Sequence, residues 1–132
     1  MKNPLALWAT FLAILIVGGG AKSETVKSVY DGDTFTLSSG EKIRLACVDT
    51  PEMRNTAKKK ADKPAAIEAR EYLKSMILGT DIRVDRVTKD LYGRTVARVY
   101  LPSGTEVSQE MFLSGHAILF TGYTKPCSWA QQ

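Results

Sequence analysis

Five short segments of this sequence have the pattern of β-strands, and in the first two of them apolar residues alternate with polar ones. Such segments, bounded by Gly, Asp, Ser and Pro, are typical of strands that bury one face. Only short turns separate the first three segments, which predicts an antiparallel meander. The predicted strands are residues 25–30, 34–37, 42–48, 80–87 and 95–101.

One longer segment, between the third and fourth predicted strands, has helical periodicity instead. Pro64 is placed where a helix tolerates proline best, and Gly79 marks its end. A second, shorter helix is predicted over residues 106–114, before Gly115. The order β-β-β-α-β-β-α predicts a mainly β, α+β protein: a five-stranded antiparallel barrel with capping helices, which is the arrangement of the OB-fold. The apolar face of the first helix is predicted to contain Ala66, Ala69, Leu73, Met76 and Ile77.

The N-terminal segment has the pattern of a secretory signal peptide. Lys2 precedes a run from Leu5 to Val17 in which only Thr10 is polar, and small residues follow the run. We predict a signal peptide over residues 1–21 and one domain over residues 22–132, with cleavage after residue 23 as a second possibility. The product is expected to be secreted or periplasmic. The alternative is an uncleaved inner-membrane anchor over residues 5–21, although this run is shorter than the roughly 20 residues of a membrane span.

Charge and cysteine content restrict the function only loosely. The chain has 18 Lys and Arg against 14 Asp and Glu, a net charge of +4. This charge suits an acidic partner such as nucleic acid, but many secreted proteins share it. The two cysteines, Cys47 and Cys127, are too few for a zinc site. In an oxidising compartment they can form a disulfide across about 80 residues; the alternative is two unpaired thiols.

Three polar clusters lie at the ends of predicted strands, where a barrel exposes them. They are residues 31–34, Arg44 with residues 49–52, and residues 90–94. Each cluster alone is typical of a turn or a charged hairpin loop; in the first, Gly and Asp tolerate the positive φ of a turn. Together the three clusters contain the groups that bind a divalent cation and a phosphodiester.

The first two clusters supply oxygen ligands for a hard cation. Asp33, Asp49 and the backbone carbonyl of Thr50 are ligands of the type that Ca²⁺ selects, and no soft ligand accompanies them. Glu52 lies three residues after Asp49, close enough to contact a metal-bound or free water and to act as a general base. We therefore predict a calcium site beside a catalytic carboxylate.

Two arginines complete the predicted site. Arg44 and Arg94 belong to different segments, and we expect them to converge on the same end of the barrel. Two guanidinium groups and a divalent cation facing a phosphodiester neutralise the charge that develops in its transition state. Arginine suits this role because its planar group contacts two phosphate oxygens at once. The combination predicts phosphodiester hydrolysis.

Residues 29–34, 43–52 and 90–94 resemble the signature segments of the staphylococcal nuclease (thermonuclease) family, in the same order and at compatible spacing. The resemblance extends from about Thr25 to about Lys125. It implies an OB-fold and a Ca²⁺-dependent endo- and exonuclease that cleaves single-stranded DNA, loosened duplex DNA and RNA, leaving 3′-phosphate ends. By position it implies that the catalytic residues are Arg44, Glu52 and Arg94, and that the Ca²⁺ ligands are Asp33, Asp49 and the Thr50 carbonyl.

Further positions match residues around the family's site. Asp31 matches a carboxylate that supports the metal site without being a firm ligand, and Tyr92 and Tyr123 match tyrosines that line the nucleotide pocket. The lysine run at positions 58–60 lies where the family has a flexible basic loop. An aromatic wall with nearby lysines suits single strands, since stacking accepts any base and the phosphates need countercharge.

The sequence departs from the family pattern in two places. Leu91 stands where members often carry a lysine, which predicts weaker contact with a terminal phosphate. Only ten residues follow Gly122, so we expect the family's last helix to be shortened. Trp129 and a bridge between Cys47 and Cys127 are the features expected to replace its packing.

We therefore predict a monomeric, sugar-nonspecific nuclease that acts on DNA and RNA. The alternative is a non-catalytic OB-fold module that binds single-stranded nucleic acid, as some relatives of the family are. Such relatives lose the acidic and arginine positions. All six positions are present here, which favours the enzyme.

Overall fold

A closed five-stranded barrel lies at the centre of the described residues, 22–57 and 59–131 of a computed structural model; the predicted signal segment, residues 1–21, and Lys58 lie outside them. The elements are β1 (Ser23–Val29), β2 (Thr34–Leu37), β3 (Lys42–Leu45), β4 (Val48–Asp49), α1 (Lys63–Ile77), β5 (Asp81–Lys89), β6 (Thr95–Tyr100), α2 (Val107–Leu113) and β7 (Ile118–Leu119). Around the barrel the order is β1-β2-β3-β6-β5. All neighbours are antiparallel except β3 and β6, which are parallel. This architecture confirms the predicted OB-fold.

The third strand is shorter than predicted. It ends at Leu45 instead of Val48, because Cys47 has a φ of 74°, in the left-handed region that interrupts an extended strand. The chain becomes extended again in β4, which pairs antiparallel with β7 outside the barrel. This two-stranded sheet was not predicted, since two residues are too few to show a periodic pattern. It joins the segment of the predicted metal ligands to the chain after α2.

The barrel interior and helix α1 share one hydrophobic core. Phe35, Ile43 and Val99 of the barrel are fully buried, and α1 covers the barrel with its apolar face. The periodicity predicted that face correctly, except that Met76 is only partly buried. The buried residues of α1 are Ala66, Ala69, Leu73 and Ile77. Neither of the α-helices in the described part of the chain is long and apolar enough to cross a membrane.

Helix α1 begins at a side-chain cap that follows the basic loop. Oδ1 of Asp62 accepts a hydrogen bond from the backbone N–H of Ala65 at 3.4 Å. We expect Asp62→Ala to lower the free energy of unfolding by about 1 kcal/mol, because an N–H at the helix start loses its acceptor. Urea denaturation measures the change. Asp62→Asn keeps an acceptor and is the control; an equal loss in both variants would exclude capping as the cause.

The C-terminal segment is held by a disulfide and an aromatic contact. Cys47 and Cys127 are bonded to each other, which answers the question that the sequence left open. A single turn of 3₁₀ helix, Ser128–Ala130, follows. Its Trp129 packs on Phe112 of α2, with ring centroids 5.8 Å apart, and contacts both the barrel core and a second cluster of buried residues that contains the disulfide. These contacts occupy the place where we expected a shortened final helix.

Candidate active site

The loop between β1 and β2 lies directly against α1 and the end of β4. A Cβ atom at Gly32 would lie 2.7 Å from the Cβ of Ala69 and 2.9 Å from the Cγ2 of Thr50. Gly32 does not have a positive φ, so the glycine is required here by space and not by the turn conformation expected from the sequence. This close approach places the flanking carboxylates, Asp31 and Asp33, in a buried position beside Thr50.

Asp33 is the centre of a hydrogen-bonded network. Its Oδ2 accepts hydrogen bonds from the backbone N–H of Thr50 at 3.2 Å and from the Thr50 hydroxyl at 3.0 Å. Its Oδ1 accepts from the hydroxyl of Thr34 at 3.0 Å, and that hydroxyl accepts from Nη1 of Arg94 at 3.2 Å. The network therefore connects Asp33, directly before β2, to Arg94, directly before β6.

Arg44 brings the two predicted aspartate ligands together. Its Nη2 lies 3.4 Å from Oδ2 of Asp33 and 3.5 Å from Oδ1 of Asp49. Its Nη1 donates to the carbonyls of Leu45 at 2.6 Å and Val48 at 2.7 Å. The side chain is only 13% exposed. A rigidly held guanidinium thus has the carboxylate of Asp33, from the β1–β2 loop, and that of Asp49, from β4, on the same nitrogen.

Arg94 is oriented by Asp90, a residue whose role the sequence did not predict. Asp90 accepts from the backbone N–H groups of Tyr92 at 2.9 Å and Arg94 at 3.0 Å, and its Oδ2 accepts from Nε of Arg94 at 2.6 Å. Burial acts to raise the pKa of Asp90, but these hydrogen bonds outweigh it and lower the pKa. The hairpin therefore presents a fixed guanidinium, whose Cζ lies 5.5 Å from the centre of the Tyr92 ring.

An open cleft of about 890 Å³ lies beside these groups. Its lining includes the carboxylates of Asp49 and Glu52, the guanidinium of Arg94 and the ring of Tyr92. The predicted general base and one of the predicted arginines therefore face the same space. Asp31 and Asp33 do not line this cleft.

A second cleft of about 520 Å³ continues from the first. The two share Tyr92, Arg94 and the ring of Phe120, and the second also contains Arg44 and Tyr123. Both predicted substrate-binding tyrosines thus lie near the two arginines. The fully exposed side chain of Leu91, at the tip of the β5–β6 hairpin, lines the second cleft as well.

The carboxylates of the site repel one another. Burial and the neighbouring Asp33 carboxylate raise the pKa of Asp31 to about 7. Burial and the same carboxylate also raise the pKa of Glu52, against the opposing effect of Lys59. A cation relieves this repulsion, and two aspartates that converge on Arg44 have the donor chemistry that Ca²⁺ requires.

The two aspartates suit a hard cation, but the protein supplies few acidic ligands for it. Within residues 22–57 and 59–131, no group of three or more His, Cys, Asp or Glu side chains has metal-binding geometry. The predicted set needs only two such side chains, from Asp33 and Asp49, with the Thr50 carbonyl as the third ligand. The hydroxyl and N–H of Thr50 bind Asp33, and its carbonyl oxygen is the donor predicted for the cation.

Sequence reasoning missed two more residues at the site, Phe120 and Tyr30, and gave Lys59 only as a member of the lysine run. Phe120 lines both clefts, and its ring centre lies 6.0 Å from Cζ of Arg44. Tyr30 lines the first cleft, and its hydroxyl accepts a hydrogen bond from Arg54 at 2.7 Å. Lys59 contacts Asp49. Tyr30 adjoins the first polar cluster, and Lys59 belongs to the lysine run, whereas Phe120 has no sequence signal beyond its aromatic character.

Comparison with known proteins identifies the family. Residues 42–132 match the family described as "Staphylococcal nuclease homologue". Endonuclease YhcR of Bacillus subtilis is 36% identical over 70% of this chain and 8% of that protein. An uncharacterized endonuclease of Escherichia coli O157:H7 is 34% identical over 74% of this chain and 61% of that protein. The thermonuclease of Staphylococcus intermedius is 38% identical over 61% and 49%, respectively.

The matched region spans less than two thirds of each of these three relatives. The family match, in contrast, includes most of the chain: β3 to β7, both helices and the C-terminal turn. It also contains every predicted site residue except Asp31 and Asp33, which lie just before it. This chain is therefore a member of the staphylococcal nuclease family.

Proposed function

We propose that this protein is a Ca²⁺-dependent nuclease that hydrolyses phosphodiester bonds of both DNA and RNA. The observation that carries the proposal is the convergence of Asp33 and Asp49 on Arg44, beside a cleft that Glu52 and Arg94 line. The names of the relatives, endonuclease and thermonuclease, support the same reaction class.

Each residue of the site has a chemical role in this proposal. Asp33, Asp49 and the Thr50 carbonyl would hold Ca²⁺, which would supply positive charge for the phosphate. Glu52 accepts the proton from the attacking water, and the guanidinium groups of Arg44 and Arg94 bind the phosphate oxygens as charge develops on them. Their fixed positions limit the reorganisation needed during the reaction. The bond between phosphorus and the 5′-oxygen breaks, the 5′-oxygen takes up a proton from solvent and leaves as a hydroxyl group, and the other product ends in a 3′-phosphate.

The aromatic side chains around the two clefts favour single-stranded or loosened substrates. Tyr92, Phe120 and Tyr123 offer ring faces on which any base can stack, and stacking does not depend on the sugar. A duplex keeps its bases stacked on each other, so it offers less to this surface. We propose that the protein acts on such strands as a monomer, without selecting DNA over RNA.

We propose that the protein works outside the cytoplasm, in the periplasm or the medium. The signal-peptide pattern of residues 1–21 and the Cys47–Cys127 disulfide support this location, because disulfides persist in oxidising compartments. Mass spectrometry of the purified native protein tests it: a mature N-terminus at Lys22 or Glu24 supports secretion. An intact residue 1 in the membrane fraction would instead support the anchored alternative.

Calcium removal tests the proposed activity directly. We expect the purified protein to degrade denatured DNA and RNA with millimolar Ca²⁺, to stop when EGTA is added in excess, and to resume when Ca²⁺ is restored. Degradation that continues in EGTA would contradict the calcium requirement. Binding of the strands without degradation in any condition would support the non-catalytic OB-fold module instead.

A further inference from the structure

One carboxylate of the proposed calcium site already has a cation from the protein on each of its oxygens. Oδ1 of Asp49 lies 3.5 Å from Nη2 of Arg44, and Oδ2 contacts the ammonium of Lys59. The Asp49 side chain is 16% exposed, so this ion pair is partly shielded from water. A metal ion that binds Asp49 has to share or replace one of these two partners.

The two cations differ in how firmly the protein holds them. Arg44 is 13% exposed and donates two hydrogen bonds to backbone carbonyls, so it stays in place. The side chain of Lys59 is 39% exposed, and its only acidic partner among the described residues is Asp49. Lysine also has a flexible four-carbon chain that reaches several positions from one backbone site. Lys59 is therefore the partner that can leave.

The backbone of Lys59 is fixed even though its side chain is not. Its N–H donates to the Thr56 hydroxyl at 3.0 Å, and its carbonyl accepts from the N–H of Thr56 at 2.8 Å. The loop therefore keeps the ammonium within reach of Asp49. Lys59 also lines the first cleft, so a displaced ammonium remains near Arg94 and any bound phosphate.

From these contacts we infer that Lys59 is an internal competitor of the divalent cation for Asp49. Binding of the metal ion displaces the ammonium from Oδ2, and the freed ammonium adds positive charge to the cleft where the phosphate binds. Lys59 thus lowers the affinity of the substrate-free protein for the cation. The inference rests on the proposed calcium site, and it concerns a positioning residue, not a catalytic one.

Calcium binding measured by isothermal titration calorimetry, without nucleic acid, tests this inference on the protein with its disulfide intact. We expect Lys59→Met to bind Ca²⁺ roughly three- to tenfold more tightly than the wild type, because Asp49 loses its competing charge. Lys60→Met is the matched control: Lys60 is exposed, has no ion pair among the described residues, and carries the same charge. Its affinity should change less than twofold. Lys59→Arg keeps a competing cation and should stay near the wild type.

The outcomes separate this inference from the proposed function. If the wild type binds Ca²⁺ and Lys59→Met binds with the same affinity, the competition is wrong and the nuclease proposal is unaffected. An equal increase in Ca²⁺ affinity in Lys59→Met and Lys60→Met also overturns the inference, since the loss of one positive charge anywhere in the loop then explains the effect. If no variant binds Ca²⁺, both the proposed cofactor and the inference are wrong. Tighter binding in Lys59→Met alone supports it.

Discussion

Glu52→Gln is expected to lower kcat about 10²- to 10⁴-fold, because general-base catalysis contributes roughly this factor. Glutamine keeps the size and a hydrogen-bonding oxygen of glutamate but cannot accept the proton of the attacking water. The cleft should keep its shape, since the Glu52 side chain lines it and is only partly buried. The measurement is the rate of release of acid-soluble nucleotides from denatured DNA at saturating Ca²⁺.

The comparison of kcat with KM separates this role from a structural one. We expect KM to change little, because binding of the phosphate depends on Arg44 and Arg94. Glu71→Gln is the control: it removes a carboxylate from α1 whose side chain is 53% exposed, pairs with Arg70 and lines neither cleft. Near-normal kcat in Glu52→Gln would remove Glu52 from the mechanism.

Loss of the Cys47–Cys127 disulfide is expected to destabilise the fold by about 4 kcal/mol and to lower Tm by roughly 15 °C. The bridge closes a loop with a sequence separation of 80 residues, so its removal greatly increases the entropy of the unfolded chain. It also holds Cys47 in a left-handed conformation that favours glycine. Calorimetry of the double variant Cys47→Ser, Cys127→Ser measures the change.

Reduction of the wild type provides an independent check on this value. A thiol should lower the Tm of the wild type by a similar amount and should leave the double variant unchanged. If the Tm of the wild type is the same with and without reductant, the bridge contributes nothing to stability. Because the N–H of Phe120 donates to the carbonyl of Cys47 at 2.8 Å, we also expect the cleft lining near Phe120 to loosen when the bridge is absent.

The regular elements of this fold were predictable from local patterns. Helix α1 is long enough for its apolar residues to recur over four turns, and Pro64 and Gly79 mark its ends. For the strands of the barrel, the predicted ends lie within two residues of the observed ends. The third strand is the exception, because its early end depends on Cys47 and on the chain that packs beside it. Strands β4 and β7 were missed because each has only two residues, too few for a periodic pattern. Their pairing with each other defines them as strands.

The candidate site was predictable as a set of residues, but not as an arrangement. The acidic and arginine positions stand in short segments whose order along the chain resembles the family, so each residue could be named in advance. The roles of Asp90 and Lys59 could not, since a hairpin aspartate and a loop lysine are usually solvated side chains. Their significance lies in what they contact, Arg94 in one case and Asp49 in the other.

The fold class and the residue types of the candidate site could be inferred from the sequence alone, because periodicity and residue type are local properties of the chain. Which groups contact each other depends on the folded chain: Asp33 and Asp49 contact Arg44, Cys47 is bonded to Cys127, and Lys59 contacts Asp49. The folded structure also explains Gly32, because Ala69 and Thr50 leave no room for a Cβ atom at this position. These pairings join residues from 5 to 80 positions apart. Such contacts form only when the chain folds back on itself, which no local pattern in the sequence specifies.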